Sequence, residues 1–140
     1  YVVTGIPPAT GTTTIVLEYG DRPAVGTIVV GEEEFFGSTR YGVTSGFIDY
    51  SKITTDAFGN EVWIERQKAR MGTYPVWFAP KDLDYISGRV KDLLNKPVVW
   101  IGDDGAGYRS LIIFGRLKDY SPSFEGPNYV SANIEIQGIV

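Results

Sequence analysis

At 140 residues the chain can bury about two-thirds of its unfolded surface in one domain, with no cysteine and so no disulfide to staple it. It also has no histidine, which removes the usual acid–base group near neutral pH along with Ser-His-Asp triads and His/Cys metal clusters. A formal net charge of -4 speaks against a nucleic-acid partner, and no apolar run approaches the roughly 20 residues that span a bilayer.

The chain opens on Tyr1 rather than Met, as an excised or processed segment of something longer would. Residues 1–12, with Pro7-Pro8, read as an extended arm or linker ahead of a single β-rich domain over 13–140. Thr13–Tyr19 is β-branched and alternating, a strand; Gly20-Asp21-Arg22-Pro23 is turn chemistry, and Thr27–Gly31 is a second strand. Glu32-Glu33-Glu34 presents three adjacent carboxylates. Neighbours on a strand point to opposite faces, so they do not converge on a cation and read as a solvated loop beside Phe35-Phe36.

Tyr41–Tyr50 reads as a strand with a break at Gly42 or Gly46, and Thr55–Asn60 as a connector rich in turn formers. Glu61–Arg70 reads as one long strand. One face carries Val62, Ile64, Arg66, Lys68 and Arg70, and Trp63 lies on the other among Glu61, Glu65 and Gln67. Thr73–Ala79 repeats the pattern, with Tyr74, Val76 and Phe78 sharing one face and Trp77 sharing the other with Thr73 and Pro75.

Residues 82–95 predict the one helix. Leu83, Ile86, Val90, Leu93 and Leu94 recur at spacings of three and four, with Asp82 as N-cap and Pro97 ending it. Val98–Ile101 is apolar on both faces and predicts a buried central strand; Gly102–Gly107 then reads as a hairpin turn. In Ser110–Tyr120, Leu111, Ile113, Gly115 and Leu117 form a clean core face. The second face, apolar then cationic, calls for cover by the helix or a neighbour. Ser121–Asn128, with two prolines and a glycine, predicts a loop; Ala132, Ile134 and Ile136 mark a closing half-buried strand. About eight strands and one helix at 82–95 imply a mainly β fold, a β-sandwich or partly closed β-barrel flanked by the helix.

The chain carries few groups suited to catalysis. Gly102–Gly107 joins two strands and lacks the Gly-Lys-Ser/Thr ending of a phosphate loop. Asp103-Asp104 with Asp84 or Asp119 would supply a carboxylate pair for glycoside chemistry, and Asp103 and Asp104 alone would supply oxygens for calcium, but Asp-Asp-Gly is first a turn former. The expectation is no enzyme, no cofactor and no metal. Trp63, Trp77 and Tyr108 are more informative: aromatics exposed on a β platform can anchor a protein interface or stack on sugar rings, and the plainer reading is that they fill a second core layer or simply stand exposed.

From about Gly26 onward the chain also resembles a group of bacteriophage tail proteins. The shared features are Ile48-Asp49-Tyr50-Ser51, then Thr55–Asn60 leading into a strand with Arg66. They continue with Pro97–Asp104, Phe114–Tyr120 and Ile134–Gly138, in that order and spacing. The resemblance implies a tail-tube or hub-like β fold and a structural component of the tail tip, hub or baseplate. It implies partners that are copies of itself in a ring-like assembly and other phage tail proteins, within the virion after assembly in the bacterial cytoplasm. It brings no catalytic motif. Some relatives carry a carbohydrate-binding label, so the alternative is a module that recognises host-surface or polysaccharide glycans through Trp63, Trp77 or Tyr108. Ring closure requires each subunit to offer two different complementary patches.

Overall fold

The computed structural model describes residues 14–16, 25–103 and 105–139. The chain divides into two units, Tyr1–Glu34 and Phe35–Val140. The predicted arm at 1–12 and most of the predicted strand at Thr13–Tyr19 lie outside the described residues. Thr27–Gly31 forms no strand: Ile28, Val29 and Val30 are exposed and no ladder includes them. β-branched residues fit a pleated surface once a neighbouring strand exists, and composition alone does not supply the neighbour.

The second unit is built on three long strands, β5 (Lys68–Phe78), β7 (Ile112–Phe124) and β8 (Val130–Gly138). Shorter strands flank them: β1 (Ser38–Thr39) and β2 (Thr44–Asp49) share one edge of β5, and β6 (Val98–Ile101) pairs with β7. Across the sheet the order is β1-β5-β8-β7-β6, with β2 beside β5, and every pairing is antiparallel. β1 and β2 act as one strand interrupted by residues 40–43, where Gly42 takes a left-handed φ of 103° that a side chain would resist.

Strand alternation decides which side is core. Tyr74, Val76 and Phe78 of β5 face the same interior as Val130, Ala132, Ile134 and Ile136 of β8 and Ile113 and Leu117 of β7. Each aliphatic side chain so buried contributes about 1.5–3 kcal/mol. The helix α1 (Leu83–Asp92), entered through a 3-10 turn at Pro80–Asp82, closes this interior with Ile86 and Val90, while Leu83 and Leu93 pack at its margin. Asp82 makes no side-chain cap, because the preceding turn already gives it helical dihedrals. The helix also stops before Pro97 acts: the Leu93 N–H returns to Arg89, and Asn95 adopts a left-handed φ of 62°. Leu94, expected on the apolar face, is exposed, and its backbone bridges to Leu117.

The sheet curls into a half-barrel, the partly closed form of the mainly β fold with one flanking helix. Its two edges are tied through the connection after β6: Thr39 Oγ1 donates to the Gly102 carbonyl at 3.0 Å and Ser45 Oγ to that of Ser110 at 3.2 Å. Val98–Ile101 is therefore an edge strand, not a central one. Only Trp100 is buried, against Phe36 with ring centroids 6.2 Å apart, its indole N–H donated to the Gly115 carbonyl at 3.3 Å.

Three further boundaries differ from expectation. Ser121–Phe124 belongs to β7 rather than to a loop, with Pro122 opposite Ala132. Proline is tolerated there because β6 pairs only as far along β7 as Gly115, which leaves that stretch of β7 an edge. The alternation in β7 slips at a bulge between Leu117 and Asp119, which makes Tyr120 rather than Asp119 the next inward residue. Glu61–Arg70 is two pieces: β4 (Glu61–Ile64) ends, and β5 begins at Lys68.

Candidate functional site

That break sets an exposed hairpin apart from the large sheet. β2 and β5 pair as far as Asp49 opposite Lys68; the two chains then continue as β3 (Lys52–Thr55) and β4 in a separate two-stranded sheet. Two residues, 50 and 51, face three, 65–67, so the hairpin bends at a bulge. Ser51 clasps the bend: its N–H is donated to Asp49 Oδ1 at 2.8 Å, and its Oγ accepts the Arg66 N–H at 3.1 Å. Hydrogen bonding from Ser51, its side chain first and then its backbone N–H, holds the Asp49 carboxyl below its ordinary range, with Lys68 Nζ 3.7 Å away adding to the effect.

The tip is organised by Asp56. Its Oδ1 accepts the N–H groups of Phe58 and Asn60, each at 2.8 Å, and its Oδ2 accepts from Asn60 Nδ2 at 3.0 Å. The Asn60 contacts come first in holding the Asp56 carboxyl below the usual carboxylate value. Gly59, at φ 83°, completes the reversal. What this polar frame presents is apolar. Ile53 stands opposite Trp63 on one face, Val62 and Ile64 lie on the other, and Phe58 at the tip is 91% exposed.

The three aromatics singled out in the sequence are all exposed but occupy three different elements. Trp63 is on the hairpin arm, Trp77 on β5 in the large sheet, and Tyr108 in the connection between β6 and β7. The sheet register gives Trp77 other company. Ser38 and Ser131 are its cross-strand partners, and Ser123 is opposite Ser131, so one row on the outer face reads Ser38, Trp77, Ser131, Ser123. At its rim, Arg40 Nη1 donates to Glu125 Oε2 at 3.1 Å and to Ser131 Oγ at 3.3 Å. Arg40, Trp77 and Tyr129 line a recess of about 200 Å³. No sequence pattern marks Arg40 or Glu125, since the bonds from Arg40 to Glu125 and Ser131 span 85 and 91 residues.

The expected carboxylates are engaged locally. Asp103 Oδ1 accepts the Gly105 N–H at 2.7 Å, as a turn former does, and Asp119 Oδ2 accepts from Ser121 Oγ at 2.7 Å. Asp104 is not among the described residues, and among those that are, no three carboxylates cluster as a metal site would require. The cationic end of β7 is met within its own sheet, with Arg116 bonded to Gln137 and Lys118 paired with Glu135. No helix is long and apolar enough to cross a membrane among the described residues. A comparison with known protein families and with curated proteins finds none that this chain matches.

Proposed function

We propose that the chain is a structural component of a bacteriophage tail, at its tip, hub or baseplate, that assembles with copies of itself and with other tail proteins. The observation that carries this reading is the hairpin arm. A two-stranded hairpin is at best marginally stable in water on its own, and this one exposes Ile53, Val62, Trp63, Ile64 and Phe58 around a rigid Asp56 turn. Large apolar groups held out on both faces are what an interface anchor needs, with Trp the side chain most enriched at binding hot spots. The resemblance to tail proteins and the lack of imidazole and thiol point the same way. In a ring, the arm serves as one patch of a heterologous contact, and a different surface of the neighbour receives it.

Native mass spectrometry and electron microscopy of the purified chain test the reading, with mass analysis of purified virions. Closed oligomers are expected, reverting to folded monomers in an Ile53→Ser/Trp63→Ser double variant. A chain that stays monomeric at high concentration and is missing from virions would overturn it.

A further inference from the structure

Strand alternation leaves a second apolar surface, on the outer face of the large sheet. Val99 is opposite Phe114 and Ile101 opposite Ile112, and all four point away from the core that Trp100 and Ile113 enter. The Ile139 N–H is donated to the Phe114 carbonyl at 3.1 Å, which brings Ile139 to the same surface from the end of β8. Ile101 and Ile139 are exposed, and Val99, Ile112 and Phe114 are half-buried. Along β8 the outer face then turns polar, through Gln137, Glu135 and Asn133. The apolar second face of Ser110–Tyr120 called for cover by the helix or a neighbour. The helix does not supply it, since Ile86 and Val90 pack on the inner side of the sheet. We propose that this patch receives the hairpin arm of a second copy, laid on it by the face that carries Ile53 and Trp63. The inference rests on the assembly reading and names the surface of the neighbour that this reading requires.

Charge selects the occupant and its orientation. The two faces of the arm differ: Ile53 and Trp63 share theirs with Glu61, whereas Val62 and Ile64 share theirs with Lys52. The patch is bordered on β7 by Arg116, which is bonded to the neutral amide of Gln137, while the neighbouring Lys118 is paired with Glu135. A cationic rim takes the acidic face of the arm and repels the one that carries Lys52. In a chain of net charge -4, copies repel one another overall, so association depends on such a local match of opposite sign. Size agrees as well. The patch crosses three strands, about 10 Å between the outer two axes, and the face of a two-stranded hairpin, about 5 Å between axes, fits within it. Within one copy the arm does not lie on the patch, because Trp63 is 71% exposed.

Native mass spectrometry of the whole chain tests the inference with two complementary variants. Ile53→Ser/Trp63→Ser disables the arm, and Ile101→Glu/Ile139→Glu sets charge into the patch at its two exposed positions. Each alone should be monomeric. Mixed, they should form one-to-one pairs and nothing larger, because one brings an intact patch and the other an intact arm. Arg116→Glu, at an exposed position that the core does not need, should weaken assembly about tenfold or more, while Trp77→Ser, at the far end of the outer face, leaves it unchanged. Oligomers that persist undiminished in Ile101→Glu/Ile139→Glu or in Arg116→Glu overturn the inference and leave the assembly reading standing. A mixture that stays monomeric overturns it too, as does an arm variant that still assembles, which would mean patch against patch. A parent chain that is monomeric at high concentration overturns both readings.

Discussion

The Tyr74 hydroxyl donates to the Leu111 carbonyl at 2.9 Å, across 37 residues of sequence, and so fastens the middle of β5 to the start of β7. The ring lies against Gly102, where a Cβ would sit inside it. Together with the Thr39 and Ser45 bonds to the same connection, this contact keeps the half-barrel curled.

Tyr74→Phe removes that bond while the Leu111 carbonyl keeps the Gly102 N–H, for an expected loss of about 1 kcal/mol in urea unfolding. Burial pushes the Tyr74 phenol up to about 12, against 10.0 for the free group. Its folded value exceeds its unfolded one, so the stability it contributes is intact below pH 10.0 and is lost as pH rises through about 12. An alkaline unfolding series should show this decline in the parent and a shallower one in Tyr74→Phe.

Ile136 and Val130 are fully enclosed where β8 meets the core. Ile136→Ala should cost about 2–5 kcal/mol, the transfer loss plus the cavity left behind. Leu94→Ala, three residues short of Pro97 and half exposed, should change stability by less than about 0.5 kcal/mol. Chemical denaturation of the two variants checks the contrast, and it separates Leu94 from the helix residues Ile86 and Val90 with which its spacing groups it.

The inward faces were legible because alternation reports directly on which side of a strand is buried. Tyr74, Val76, Phe78, Ala132, Ile134 and Ile136 all lie where the period of two puts them, and Ile86 and Val90 where the helical period does. Strand neighbours were not legible. Val98–Ile101 reads as central because apolar residues occupy both faces, yet cover from Phe36 on one side is a tertiary fact. Likewise, a proline is harmless at position 122 only because β6 ends short of it. The break at residues 65–67 carries no glycine or proline; it follows from the Ser51 clasp, a contact across 15 residues. The recess beside Trp77 is hidden for the same reason, since only the tryptophan announces itself locally.

Two of the three tryptophans, Trp63 and Trp77, are open to solvent, while Trp100 is 7% exposed. Acrylamide should therefore quench the major part of the fluorescence readily and leave a blue-shifted remainder from Trp100. Trp63→Phe and Trp77→Phe should each remove an accessible component, and Trp100→Phe the protected one. The proposed assembly would add a further signal: burial of the hairpin arm in an oligomer should protect Trp63 and leave Trp77 accessible.

The hairpin tip should respond to acid through Asp56. Its carboxylate takes hydrogen bonds from both the side chain and the backbone of Asn60 and from the Phe58 N–H, which hold its folded value below the ordinary 3.8. A depressed folded value means that the group contributes stability above the unfolded value, and that this is lost as pH falls through the folded one. Asp49, held down by Ser51 at the base of the same hairpin, has the same sign, so tip and base loosen together below pH 3.8. Amide resonances of Phe58 and Asn60 should move toward unfolded positions in that range while those of the β8 core stay in place. Asp56→Asn lacks the charge and should lose this pH dependence at the tip while keeping it at Ser51. A tip that titrates identically in parent and variant would mean that the Asp56 frame does not order the arm.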